Sequence, residues 1–228
     1  MIALFDMDGT LFAGDSQLRF ARRILSRYGW RRLYLLLVLP CGILRALHIL
    51  NTEQMKRIFL SYAWGLKRET LEDECRQFVD EEILPAIYPP LRDKIAQHCL
   101  RGDTTILCSA SPDWWTRLVG EKLGFTYTIG TPVELHERVP FFPHVDFPGN
   151  NKGGNKVIRL QKMGIERADI GYTDSCADLP MLSICDRAVL VNPDKKVASA
   201  YPKAEILRPE KGIAKLPFIL GCLLGLGK

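Results

Sequence analysis

The stretch Ile2-Ala3-Leu4-Phe5-Asp6-Met7-Asp8-Gly9-Thr10-Leu11 sets four apolar residues directly before two carboxylates and a glycine. A short apolar run closed by such a turn signal predicts a buried strand, with Gly9 making the turn. Asp6 and Asp8 lie two residues apart on extended chain and therefore leave the strand on the same side. Gly9 lets backbone N–H groups approach an anion. In a pair of this kind one carboxylate can attack phosphorus, while the other protonates the leaving group and later activates water. The acids follow only a few apolar residues, so no secretory signal is expected.

Beyond this stretch the pattern turns helical for about seventy residues. Ser16 can cap a helix to about Tyr28, and Trp30 to Leu50 is an apolar segment expected to break at Pro40. Asn51 and Thr52 cap a helix to about Leu66, Thr70 to Asp73 opens a fourth, and Pro85, Pro89 and Pro90 mark the exit. From Leu91 helices and strands alternate. Helices are expected over 91–101, 112–123, 155–163, 178–185 and 194–201, strands over 104–109, 169–173 and 187–191, and a β-rich stretch over 126–150. This alternation predicts an α/β fold: a Rossmann-like, doubly wound parallel sheet built from 1–12 and 91–228, with an all-helical insert over 13–90. Ligands of such a sheet gather outside the carboxyl ends of the strands, at a topological switch point.

Three further polar clusters fall at those ends. Cys108-Ser109-Ala110-Ser111-Pro112 presents a strand-end hydroxyl and free N–H groups to a phosphate, with Ser111 equally suited to be an N-cap. Lys156 follows the glycine-rich run 149–155 and could offset the repulsion between an attacking carboxylate and a phosphate, a role for which Lys152 competes. Asp174 and Asp178, at a strand end and the following helix start, suit a hard divalent cation such as Mg²⁺, or serve only as caps.

Taken in order, LFDMDGTLFAGDS (4–16), CSASP (108–112), NKVIRL (155–160), YTDSCADLPML (172–182) and VLVNPD (189–194) resemble the haloacid dehalogenase superfamily of phosphohydrolases, and within it the phosphoserine phosphatase-like subfamily IB. The resemblance implies that Asp6 is the nucleophile that becomes an aspartyl-phosphate and Asp8 the acid and base. It makes Ser109, the Ala110 backbone and Lys156 phosphate ligands, Lys156 also neutralising charge. It further implies Mg²⁺ held by Asp6, the Asp8 carbonyl and Asp174, with Asp178 in direct or water-mediated support. Thr173 and Asn155 stand where many relatives have Gly and Glu. The insert takes the place of a cap that closes over the site and reads the leaving group.

Composition fits a folded enzyme: among 228 residues, 47% are hydrophobic and 25% charged, which excludes a disordered chain. Seven cysteines without a CxxC pair predict a reducing, cytoplasmic setting and no zinc. Residues 13–68 hold eleven Arg and Lys against Asp15 and Glu53 only, an asymmetry that suggests an anionic partner. The uncharged run Leu33 to Leu44 is too short to span a bilayer, as is Leu216 to Leu226 with its flanking Lys211, Lys215 and Lys228. Together these features favour the inner face of an anionic membrane, with Arg31, Arg32 and Arg45 meeting lipid. The insert also resembles that of phosphatidylglycerophosphate phosphatases. The expected substrate is accordingly a phosphorylated lipid head group, with a small metabolite such as phosphoserine or phosphocholine as the alternative. A non-catalytic scaffold is the remote third reading. No recognisable nucleic-acid motif is present, so no nucleic-acid partner is expected.

Overall fold

The computed structural model describes residues 1–209, so the apolar segment 216–226, its lysines and Cys222 lie outside the described residues. Six strands form one parallel sheet in the order β3-β2-β1-β4-β5-β6: β1 Ile2–Phe5, β2 Thr104–Pro112, β3 Tyr127–Thr131, β4 Ala168–Thr173, β5 Cys185–Val191 and β6 Glu205–Leu207. Strand alternation sends β1 side chains to both faces. Leu4 packs with Ile106, Cys108, Leu160 and Met181 on one face. Ala3 and Phe5 join Leu91, Ile95, Val119 and Phe125 on the other, where Phe5 stacks on Tyr172 at 4.2 Å. Helices cover both faces, and the chain order reverses between β1 and β4, which places the switch point beside Asp6.

The insert after β1 contributes α1 Ser16–Arg27, α2 Leu35–Ala46, α3 Thr52–Leu60 and α4 Arg68–Phe78, joined by short 3₁₀ and π turns. The cap of α1 is Asp15 rather than Ser16, its carboxylate accepting the Leu18 N–H at 3.0 Å. The Asn51 and Gln54 side chains form a reciprocal capping box on α3. The core helices are α5 Pro89–Leu100, α6 Asp113–Leu123, α7 Gly154–Lys162, α8 Leu179–Leu182 and α9 Lys195–Ala200. Insert and sheet share one apolar core, because Phe20 of α1 lies 4.8 Å from Trp115 of α6 and 5.0 Å from Phe78 of α4.

Several expectations need correction. Pro40 does not break α2: its missing N–H would have met the carbonyl of Leu36, and both residues face solvent, where water can serve that carbonyl. The 126–150 region forms one strand, and its remainder pairs with the insert, Val139 exchanging backbone bonds with Gly65 and Leu66 at 2.9 Å each. The helix expected over 178–185 is a single turn, because β5 already begins at Cys185. Part of the basic excess of 13–68 is also spent inside the insert. Arg23 pairs with Glu74, Glu81 and Glu82, Arg27 pairs with Glu74, and Arg31 is buried, donating to the carbonyls of Tyr62 and Trp64. The acids that answer it come later in sequence, on α4 and the turn after it.

Candidate active site

The carboxyl edge of β1, β2 and β4, together with α1 and α3 of the insert, encloses a cavity of about 560 Å³. Asp6 stands at its floor, where the chain leaves β1. One Asp6 oxygen accepts the Lys156 ammonium at 2.6 Å and the other accepts the Thr10 hydroxyl at 3.1 Å. Burial pushes the Asp6 carboxyl up, Lys156 pulls it back, and Asp178 and Asp174 push it up again. Lys156, in the first turn of α7, also reaches Asp178 at 2.9 Å and is almost wholly buried. Burial alone would lower its pKa, but Asp6 and Asp178 more than offset that and keep the ammonium charged.

Asp8 is held differently. Its Oδ1 accepts the Ser16 N–H and its Oδ2 the Ser111 hydroxyl, both at 2.6 Å. Burial, reinforced by Asp15, pushes its pKa up to about 6 against those bonds. Burial thus leaves both carboxyls above the usual carboxylate range, Asp6 at about 8 and Asp8 at about 6, and what distinguishes them is their partners: a lysine and a threonine for Asp6, a backbone N–H and a serine for Asp8.

Ser111 is therefore a partner of Asp8 and not a helix cap, α6 being preceded by Pro112. Ser109 is fully buried, 3.4 Å from the same Asp8 oxygen and accepting the Ser111 N–H, while Ala110 and Ser111 line the cavity. The hydroxyl nearest the cavity is one the sequence left open.

Thr10 does more than complete a motif. Its hydroxyl bonds Asp6 and, at 3.0 Å, Asp174, and it accepts the Asp174 N–H, tying the ends of β1 and β4 together. Burial raises the Asp174 pKa while Thr10 lowers it. Gly9 has φ of +81°, and a Cβ there would overlap the Asp174 carboxylate, so glycine is needed both for its conformation and for the close approach. Among the described residues no three acid, His or Cys side chains cluster as a metal cage. Mg²⁺ does not require one, since it keeps several waters and takes one or two carboxylates plus substrate oxygens. Asp6 and Asp174, joined through one hydroxyl, supply the hard donors that it prefers. Asp178 differs, its two oxygens being engaged by Lys156 and by the Thr173 hydroxyl at 2.9 Å.

Sequence reading also missed Lys56 of α3. Its ammonium lines the cavity and bonds the Ala110 carbonyl and, at 2.9 Å, Asn150 Oδ1, both uncharged acceptors. Burial lowers its pKa to about 8, with Asp15 and Asp8 opposing. Arg45 and Lys152 line the same side, and none of the three has an ion-pair partner among the described residues. A lysine in an apolar-looking helix carries no motif, so only the packing of α3 on the sheet edge reveals it.

Comparison with known proteins agrees with this geometry. The family model of haloacid dehalogenase-like hydrolases matches residues 3–183. A histidinol-phosphatase of Neisseria meningitidis is 24% identical over 222 residues, covering 86% of this chain and 92% of that protein. A phosphoserine phosphatase of Mycobacterium tuberculosis is 26% identical over 210 residues, covering 86% and 66%. Among solved structures, a Bordetella pertussis protein of unknown function superposes with a TM-score of 0.75 at 24% identity, covering 90% of this chain and 97% of that one. A phospho-aspartyl intermediate analogue of phosphoserine phosphatase superposes with a TM-score of 0.59 at 18% identity, covering 93% and 94%. With the motif residues assembled at one switch point and the family model spanning most of the sheet, the chain belongs to the haloacid dehalogenase-like hydrolases.

Proposed function

We propose that the chain is a phosphomonoester hydrolase that works through an aspartyl-phosphate on Asp6, requires Mg²⁺, and acts on a phosphorylated lipid head group at the cytoplasmic face of a membrane. The observation that carries the chemistry is the buried Lys156 bridging Asp6 and Asp178, with Asp8 held separately by the Ser16 N–H and the Ser111 hydroxyl. An Asp6 oxygen attacks phosphorus, the bond to the alcohol oxygen breaks, and protonated Asp8 gives that oxygen its proton. Asp8, now a carboxylate, takes a proton from water, which attacks phosphorus and releases inorganic phosphate from Asp6. Lys156 favours the charged form of the nucleophile against its burial and offsets the charge of the phosphoryl oxygens, and Asp178 positions Lys156. Asp6, Asp174 and the Asp8 carbonyl would hold Mg²⁺, which when bound supplies further charge to the phosphoryl group. Ala110 and Ser111 at the cavity wall take the phosphoryl oxygens, with the buried Ser109 hydroxyl close behind them on Asp8 and the Ser111 N–H.

A screen of soluble phosphometabolites and micellar lipid phosphates, with Mg²⁺ and with EDTA, tests this reading. Chelation should abolish hydrolysis and Mg²⁺ restore it, with a lipid phosphate turned over best. Full activity after exhaustive chelation would contradict it. A soluble phosphometabolite is the second reading, supported by the names of the histidinol- and phosphoserine-phosphatase relatives.

The unpaired cations Lys56, Arg45 and Lys152 favour an alcohol that bears its own negative charge, as a lipid phosphodiester or a carboxylate does. A buried ammonium with neutral acceptors gains most from a charged ligand. Lys56→Met should lower kcat/KM about 10- to 100-fold for substrates with a second anionic group. Hydrolysis of a neutral aryl phosphate should change less than about threefold. Equal losses on both substrates would place Lys56 on the transferring phosphate instead.

A further inference from the structure

Helix α2 breaks the usual arrangement of a surface helix. Leu35 and Val38 anchor it in the insert, yet the opposite side is apolar too. Leu36 is 73% exposed, Ile43 65% and Leu47 63%, and they follow one another at helical spacing along a single stripe. Trp30 and Leu33 extend the stripe before α2 and Ile49 extends it beyond. A contiguous apolar surface of this kind marks an interaction site. No Asp or Glu occurs from residue 16 to residue 52, and Arg32, Arg45 and His48 stand among the exposed apolar residues in sequence. Arg45 also lines the catalytic cavity, so the stripe and the mouth of the site are parts of one surface.

We infer that this stripe is a bilayer-docking face, with the α2 side chains entering the acyl boundary of a phospholipid surface and the interspersed cations among its head groups. An apolar stripe with an exposed tryptophan and arginines interspersed in sequence has the composition of an interfacial helix. The charge pattern disfavours a second copy as the occupant. A twofold contact through this face would bring two sets of Arg32, Arg45 and His48 together with no acid from 16–52 to answer them. No helix among the described residues is long and apolar enough to cross a membrane. Arg23 and Arg27 of α1 pair with acids of the insert and Arg22 is buried, so binding is carried by apolar burial more than by charge. The inference deepens the lipid half of the proposed function and rests on that reading for its substrate.

The test is co-sedimentation of the full chain with vesicles of mixed zwitterionic and anionic phospholipid, at low and high salt. Binding should persist at high salt, where exposed charge attraction is screened within about 3 Å at 1 M. A Leu36→Asp, Ile43→Asp, Leu47→Asp variant should partition at least about 100-fold more weakly, because each change removes an apolar anchor and adds a charge. Its hydrolysis of a soluble aryl phosphate should stay within about twofold, none of the three residues belonging to the catalytic set. The inference is overturned if the wild type stays in the supernatant, or if light scattering finds a dimer that the variant lacks. The inactive Asp6→Asn variant should sediment like the wild type, so a failure of docking and a failure of the proposed chemistry are read separately.

Discussion

Asp6→Asn should leave a folded protein whose turnover is reduced by at least about 10⁴-fold. The amide is nearly isosteric, so it still fits beside Thr10, but it cannot carry the charge that attacks phosphorus. It also puts a neutral group 2.6 Å from the Lys156 ammonium, which then relies on Asp178 alone. The loss should fall on kcat and persist for every substrate, good or poor leaving group alike, because formation of the phosphoenzyme is common to all. Steady-state kinetics on an aryl and an alkyl phosphate measure it. A residual rate above about one hundredth of wild type would assign the nucleophile elsewhere.

Lys156→Met should be nearly as damaging to catalysis and, unlike Asp6→Asn, should destabilise the fold. Asp6 and Asp178 are both buried, and the ammonium is the cation they share. Removing one partner of a buried ion pair costs about 3–5 kcal/mol, since the remaining charge has lost its compensation. The pH dependence follows in sign. Without the lysine the Asp6 carboxyl, already raised by burial, rises further above its unfolded value, so the folded state holds more protons and stability falls as pH rises through that range. Urea unfolding should therefore show a deficit that grows between about pH 5 and pH 8. Lys156→Arg should recover part of the stability and little of the activity, because the guanidinium keeps the charge but its larger, planar fork cannot occupy the fully buried site of the compact ammonium without displacing the two carboxylates. A Lys156→Met protein with the wild-type midpoint at neutral pH would show that the pair is not shared in this way.

The sheet and its acidic residues were legible because each carries a local signal. The apolar run 2–5, the alternation after Leu91 and the acids at strand ends fix the α/β class, and their sequence order fixes one site. What stayed hidden depended on distant pairing. The acids that neutralise Arg23 and Arg27 lie on α4 and the turn after it, about fifty residues further on, so a charge count over a window saw a basic surface where the fold makes ion pairs. Arg31, read as a lipid-facing cation, is instead a buried donor to two carbonyls. Ser111 looked like a cap because a Ser-Pro step usually is one, and only the meeting of β1 with β2 shows its hydroxyl on Asp8. The run Leu33 to Leu44 could have been core or surface. Leu35 and Val38 take the core role, while Leu36 and Ile43 remain in solvent.

The measurement that bears most directly on the central claim is chemical trapping of the phosphoenzyme. The enzyme is quenched during turnover, treated with borohydride, and mapped by peptide mass spectrometry. An acyl phosphate on Asp6 is reduced to homoserine at that position, whereas free carboxylates are untouched. Homoserine is expected at Asp6 alone, absent without substrate and absent in Asp6→Asn. Reduction at Asp8, Asp174 or Asp178, or full turnover with no reducible residue, would contradict it.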